Sequence, residues 1–197
     1  MTLFQQQRAQ AKEHIFSKSV ELFKENGYEN VSVDLITKTV GIAKGGFYNF
    51  FPSKRDILML WAEREFQKYD FAGIVKKNLS IERNLYELIK FLVKSIDENF
   101  KMFKAFLNEH VKIHGMEQTS DGKFDFIFIF SMIIRQSSDF DKIGEAYFKE
   151  KIEVLNNSLF MALINWFNKA ETVEGLEHCL TNIVKVCIYG IKEKMGD

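Results

Sequence analysis

Several side chains that can bind a phosphate or a base edge lie within residues 32–54 of this 197-residue chain, SVDLITKTVGIAKGGFYNFFPSK. Lys44 can reach a guanine edge or a phosphate. Gly45 and Gly46 follow it directly, and each glycine in a helix costs about 1 kcal/mol relative to alanine. We expect a functional gain that offsets this cost. A helix without side chains at these two positions can approach DNA closely, which would supply that gain.

Four further polar side chains extend this set. Tyr48 and Asn49 come one helical turn after Lys44, and their hydroxyl and amide groups can donate to a sugar-phosphate backbone, which fixes register more than sequence. Ser32 and Lys54 stand at the starts of two predicted helices, where unpaired backbone N–H groups favour a phosphate. Together these residues predict a surface that binds double-stranded DNA.

Helices joined by glycine turns must position these groups. The apolar spacing predicts a first helix from about Gln5 to Asn26, which Gly27 ends. Ser32 should cap a second helix whose inward residues are Leu35, Ile36 and Val40. Gly41 makes the turn, and a third helix follows over Lys44–Phe51.

A fourth helix should begin after Pro52. Ser53 can accept the N–H of residue 56 and Asp56 can return the bond, as in a capping box. We expect this helix to run to about Lys77. The layout of helix, glycine turn and short exposed helix is that of a helix-turn-helix DNA reader. A packed helical hairpin with no DNA role is the alternative interpretation.

Composition supports an almost entirely helical chain, because it holds one Pro and few Gly. The remaining apolar pattern predicts further helices, including a buried one at 123–136 after a loop at 115–122. Two long helices should close the chain, at about 140–170 and 173–194. The net charge is zero, so the DNA interpretation depends on the motif and not on bulk charge.

Other candidate sites are weaker. His110 and His114 are spaced i, i+4, which could bind a metal, line a pocket or leave two half-buried polar residues. Cys179 and Cys187 lie eight residues apart on one predicted helix and cannot pair, so free thiols are expected. No cofactor is indicated, and no enzyme motif is evident. No apolar run suits secretion or a membrane span, so we expect a cytoplasmic protein.

Aromatic residues from several predicted helices form the last set. They are either plain core or the wall of a pocket for an apolar or aromatic ligand. With His110, the candidate pocket residues are Trp61, Phe66, Phe103, Phe106, Phe126, Phe130 and Trp166.

The stretch LFKENGYENVSVDLITKTVGIAKGGFYNFFPSKRDIL resembles the N-terminal DNA-binding domain of the TetR family of bacterial transcriptional regulators, over roughly residues 8–60. The rest of the chain is similar only in general character. In that family the matching positions contact the operator. The resemblance therefore implies DNA contacts for Ser32, Lys44, Gly45, Gly46, Tyr48, Asn49 and Lys54.

The resemblance implies an all-α fold of about nine helices, with a DNA-binding domain at 1–53 and a ligand-binding and dimerisation bundle at 54–197. We expect a repressor that binds a near-palindromic operator as a homodimer, through the last two helices at about 140–194. A small-molecule effector would release it. The alternative function is a small-molecule sensor or carrier that acts through a protein partner without DNA.

Overall fold

A computed structural model describes residues 2–68, 73, 76–114, 126–140, 145–169 and 172–192. Every regular element within these ranges is a helix. They are α1 Leu3–Asn26, α2 Val33–Val40, α3 Lys44–Tyr48, α4 Lys54–Gln67, α5 Ile81–Glu98, α6 Phe100–His114, α7 Phe126–Arg135, α8 Glu145–Lys169 and α9 Leu176–Lys192, with a 3₁₀ turn at Tyr28–Asn30. The expected all-α fold is confirmed. No helix in the described ranges is long and apolar enough to cross a membrane.

The chain forms two compact units. The first contains Met1–Lys68 and Lys101–Gly115, and the second contains Tyr69–Phe100 and Met116–Asp197. Thus α4 and most of α6 pack with the N-terminal helices. These two units are defined by contacts, and they do not coincide with the predicted functional domains 1–53 and 54–197. Those domain boundaries stay a prediction.

The core of the first unit is aromatic and aliphatic. α1 packs against α2 and α4, and α2 packs against α3. Phe23 is fully buried and meets Tyr28 edge to face, with ring centroids 5.1 Å apart. Trp61 of α4 meets Phe103 of α6 in the same way at 5.2 Å. These contacts hold the helices around the short α2–α3 pair.

Two local predictions in this unit were wrong. Leu35 is 37% exposed, whereas Ile36 is buried as predicted and Thr37 is the other buried residue of α2. Burial of Thr37 is tolerated since its hydroxyl donates to the Asp34 carbonyl at 3.0 Å. Ser53 makes no side-chain cap to the α4 backbone: its hydroxyl donates to Asp56 Oδ2 at 2.6 Å.

Two predicted helices are also shorter than expected. α3 ends at Tyr48, so Phe51 lies beyond it, and α4 ends at Gln67 with Lys68 as its C-cap. The predicted loop at 115–122 lies outside the described residues. The helix expected within 123–136 is present as α7.

The second unit packs α9 against α5 and α8, and α7 against α5 and α8. One buried amide ties two of its segments together. Asn84 is fully buried, and its Nδ2 donates to Ser137 Oγ at 2.9 Å and to the Lys76 carbonyl at 3.1 Å. Asp139 Oδ1 accepts the Ile81 N–H at 2.8 Å, which satisfies a donor in the first turn of α5.

Candidate nucleic-acid interface

The α2–turn–α3 segment has the local geometry that its sequence predicts. Ser32 caps α2, since its Oγ accepts the Leu35 N–H at 3.1 Å. Gly41 ends α2 with φ +77°, a left-handed conformation that a side chain would strain. The N–H groups of Gly41 and Ile42 both donate to the Thr37 carbonyl, at 2.9 and 3.0 Å. This closed turn fixes the angle between the two helices.

The short helix α3 is attached through one side chain. Phe47 is fully buried, with its ring centroid 6.1 Å from Phe51 and 5.5 Å from Tyr48. Tyr48 is nevertheless 48% exposed, and Asn49 is exposed beside it. One buried anchor therefore leaves the remaining surface of α3 open to a partner.

The two glycines of α3 differ in their surroundings. A side chain at Gly45 would meet no atom within 4 Å, so the protein itself does not require a glycine there. Gly46 is half-buried, and an added Cβ would lie 3.8 Å from Ile42 Cβ, an ordinary contact. The open space beside Gly45 lets a large partner approach the backbone of α3 closely.

Lys44 is exposed and ion-paired within the protein. Its Nζ lies 2.8 Å from Asp34 Oδ1 in the first turn of α2. The hydrogen bond to Asp34 raises the pKa of the Lys44 ammonium, so the group is charged. The sequence argument missed Asp34, although an acidic side chain in the first turn of a helix is a recognised stabilising feature. Any phosphate that binds Lys44 must compete with this carboxylate.

The Lys54 ammonium is bonded within the protein. Its Nζ donates to the carbonyls of Tyr28 and Val31, at 2.8 and 2.9 Å, and lies 4.2 Å from the centre of the Tyr28 ring. Burial is the main cause that lowers the pKa of this ammonium. The lysine head therefore links the start of α4 to the turn between α1 and α2.

The candidate pocket residues lie in two separate units. Trp61, Phe66 and Phe103 stack in the first unit, where Phe66 is 6.1 Å from Phe103. Phe106 and His110 also belong there, with ring centroids 6.0 Å apart. Phe130 and Trp166 belong to the second unit. The side chains of Phe126 and His114 lie outside the described residues.

Phe130 borders a small apolar cavity of about 20 Å³ in the second unit. That volume is about enough for one water molecule. The other residues around it are Ile89, Leu92, Asn156, Leu159, Phe160, Leu163 and Leu180. No group of three or more potential metal ligands occurs within the described residues. Cys179 and Cys187 are free there, as expected.

Comparison with known proteins agrees with this geometry. Residues 15–59 match the family described as bacterial regulatory proteins, tetR family. The biofilm operon icaADBC HTH-type negative transcriptional regulator IcaR of Staphylococcus aureus is 24% identical over 164 residues, which cover 81% of this chain and 83% of IcaR.

Two solved structures share the fold. One is Thermus thermophilus FadR, a TetR family transcriptional repressor in complex with lauroyl-CoA, with a TM-score of 0.73, 15% identity, and coverage of 91% of this chain and 94% of FadR. The other is a tetR-family transcriptional regulator from Streptomyces coelicolor, with a TM-score of 0.62, 17% identity and coverage of 95% and 86%. Residues 15–59 therefore match the tetR family of bacterial regulatory proteins, and the chain as a whole is similar in sequence or fold to transcriptional regulators of that kind.

Proposed function

We propose that the protein is a homodimeric repressor that binds a near-palindromic operator and leaves it when a small molecule binds. The observation that supports this most is the surface of α3, which buries Phe47 and exposes Lys44, Gly45, Tyr48 and Asn49. A two-fold dimer would place its two copies of α3 about 34–36 Å apart, in successive major grooves.

The roles of the individual contacts follow from their surroundings. Lys44 would exchange Asp34 for a phosphate or a guanine edge, and Tyr48 and Asn49 would donate to the sugar-phosphate backbone. Ser32 and Lys54 would contact phosphate at the starts of α2 and α4. Because the Lys54 ammonium is bonded to carbonyls, its contact would come from the backbone N–H groups of the α4 N-terminus.

We place the dimer interface on α8 and α9. Each of these helices exposes a large aliphatic side chain, Val154 at 48% and Val186 at 73%. Exposed aliphatic side chains on two neighbouring helices are favourable to bury against the same helices of a second copy. The resulting four-helix interface would be isologous, as a two-fold dimer requires.

The effector site would lie in the second unit, around the cavity beside Phe130. An effector pocket measures about 300–1,000 Å³, far more than the cavity of about 20 Å³. The effector would therefore bind a conformer in which these apolar side chains have moved apart, and would shift the population towards it. FadR was solved with lauroyl-CoA, so a ligand with an apolar acyl chain is the class to try first.

A sensor that works without DNA is the second candidate. The ion pair between Lys44 and Asp34 favours this function, because the lysine of α3 is already bound to a carboxylate. Salt titration separates the two functions, because DNA binding through phosphates weakens steeply as salt is added. Absence of DNA binding even at low salt would favour the sensor.

The direct test is selection of bound duplexes from a random pool by the purified protein. We expect an enriched near-palindrome, and we expect Lys44→Ala and Tyr48→Phe to weaken its binding while the dimer stays folded. Lys24→Ala is the matched control, because it removes an exposed cation from the last turn of α1. Enrichment that is the same for wild type and Lys44→Ala would contradict the assignment of α3 as the reader.

A further inference from the structure

We propose that the N-terminal half of α1 forms a second DNA-backbone contact, with Arg8 as its main phosphate ligand. This inference rests on the proposed function, and it adds a site outside the α2–α3 pair. Three observations carry it: a groove that joins α1 to the end of α3, the charge of that groove, and the packing of its cations on aromatic rings.

The groove begins at a residue already assigned to DNA. It is lined by Phe4, Gln7 and Arg8 from α1 and by Asn49 and Phe50 from the segment after α3, and its volume is about 450 Å³. Its lining residues are exposed or half-buried, so a sugar-phosphate backbone can reach them. A DNA strand that meets Asn49 therefore has a continuous path onto α1.

The charge in and beside this groove suits a phosphate, because Arg8 lines the groove and Lys12 lies one turn further along α1. The first twelve residues contain Arg8 and Lys12 and no acidic residue. Within the described part of the chain neither of them forms an ion pair, whereas Lys44 is paired with Asp34. Arg8 and Lys12 therefore offer charge to a phosphate without first breaking an internal ion pair.

Aromatic rings pack against Arg8 and Lys12 close to α3. The Arg8 guanidinium carbon lies 5.8 Å from the centre of the Phe50 ring, and Lys12 Nζ lies 5.3 Å from that of Phe51. Phe51 in turn packs on Phe47 of α3. A guanidinium can keep its face on a ring while its edge donates two parallel bonds to a phosphate. Arg8 thus lies beside Phe50, close to the end of α3.

The test compares Arg8→Gln, Arg8→Lys and Lys24→Gln with wild type, in titrations of the selected operator and of a random duplex between 50 and 200 mM salt. Each phosphate contact contributes about 0.9 to the slope of log affinity against log salt. Loss of one contact from each of two subunits lowers that slope by about 1.8. The ratio of wild-type to Arg8→Gln affinity should then fall roughly twelvefold across this salt range.

Further outcomes separate charge from packing. We expect Arg8→Gln to weaken operator and random duplex alike, and Arg8→Lys to keep the wild-type salt slope because it keeps the charge. Lys24→Gln, which removes a cation from the far end of the same helix, should bind like wild type. The proposal is overturned if Arg8→Gln keeps the wild-type slope, or if Arg8→Lys loses as much slope as Arg8→Gln.

The same titration also distinguishes this proposal from the proposed function. Wild-type protein that shows no salt-dependent DNA binding would refute the repressor itself. Wild-type binding that depends on Lys44 and not on Arg8 would support the proposed repressor and contradict only the proposed contact of α1 with DNA.

Discussion

Replacing Lys54 with methionine removes an ammonium group that joins the start of α4 to the turn between α1 and α2 in the first unit. The side chain belongs to the first residue of α4, and its Nζ donates to the carbonyls of Tyr28 and Val31, at 2.8 and 2.9 Å. Both of those residues are buried. Methionine keeps an unbranched side chain of similar length and leaves the two carbonyls without these donors.

The expected loss of stability is about 2 kcal/mol. Each hydrogen bond from a charged donor contributes about 1.5–3 kcal/mol, so two bonds set an upper range of about 3–6 kcal/mol. The burial that lowers the pKa of Lys54 works against this gain, because a desolvated charge is costly. In a unit of fewer than about 100 residues, a loss of about 2 kcal/mol lowers Tm by about 8–16 °C.

The two tryptophans allow this loss to be assigned to one unit. Trp61 is buried in the first unit and Trp166 lies in the second. In a Trp166→Phe background, the fluorescence of Trp61 reports unfolding of the first unit alone. We expect Lys54→Met to shift this transition to lower temperature and lower denaturant.

Lys18→Met is the matched control, since it removes a lysine of the same unit whose ion pair is exposed to solvent. Lys18 pairs with Glu21 at 2.7 Å, the two side chains are 40% and 55% exposed, and such pairs contribute about 0–1 kcal/mol. If Lys54→Met unfolds at the same point as Lys18→Met, the two carbonyl bonds do not stabilise the unit.

The pH dependence of the loss provides a second measurement. The pKa of Lys54 is lowered by folding from its ordinary value of 10.5. Between the lowered pKa and 10.5 the unfolded chain binds more protons than the folded one, so wild-type stability rises with pH. The variant has no such group, so its deficit should widen as pH rises. The measurements should stay below pH 10. Burial raises the pKa of Tyr28 from its ordinary 10.0, so above that pH the ionisation of Tyr28 in the unfolded chain would also change stability.

Other substitutions test the reader itself. Asp34→Asn removes the carboxylate that pairs with Lys44. Binding to random duplex should therefore tighten severalfold, and the slope of log affinity against log salt should steepen by about 0.9 per subunit. An unchanged slope would contradict the idea that Asp34 and phosphate compete for Lys44. Phe47→Ala removes the fully buried anchor of α3, and we expect a loss of about 3–5 kcal/mol in denaturant titration followed by Trp61 fluorescence. Gly41→Ala forces a side chain into φ +77° and should cost about 1–2 kcal/mol in the same titration; a smaller effect would mean that the turn relaxes.

Sequence reasoning predicted the parts of the reader that depend on local rules. Ser32 caps α2 and Gly41 ends it in a left-handed conformation, because capping oxygens and glycine turns act over three or four residues. The position of Leu35 was wrong for a physical reason. In a helix of eight residues the inward face is set by packing against α1, and an apolar pattern this short fits more than one face.

The surroundings of the two lysines could not be predicted from spacing. Lys54 bonds to carbonyls 23 and 26 residues earlier in the chain, and the direction of those carbonyls is set by the 3₁₀ turn and its packing. Lys44 meets Asp34 only because the Gly41 turn brings the starts of α2 and α3 together. Long-range pairs of this kind depend on the fold, whereas caps and turns depend on neighbouring residues.

In the proposed repressor, an effector could release DNA by displacing α4, and the contacts of Lys54 and Lys112 restrict how α4 could move. Lys54 ties the start of α4 to the turn before α2, and Lys112 of α6 lies 3.6 Å from Glu29 of the same turn. Sliding α4 away from this turn would break both Lys54 bonds, and the effector would have to supply that free energy through its preference for the displaced state. Moving α4 together with the turn breaks neither bond. Displacement of α4 should therefore carry the reader with it as one body and change the spacing of the two copies of α3 more than the shape of either.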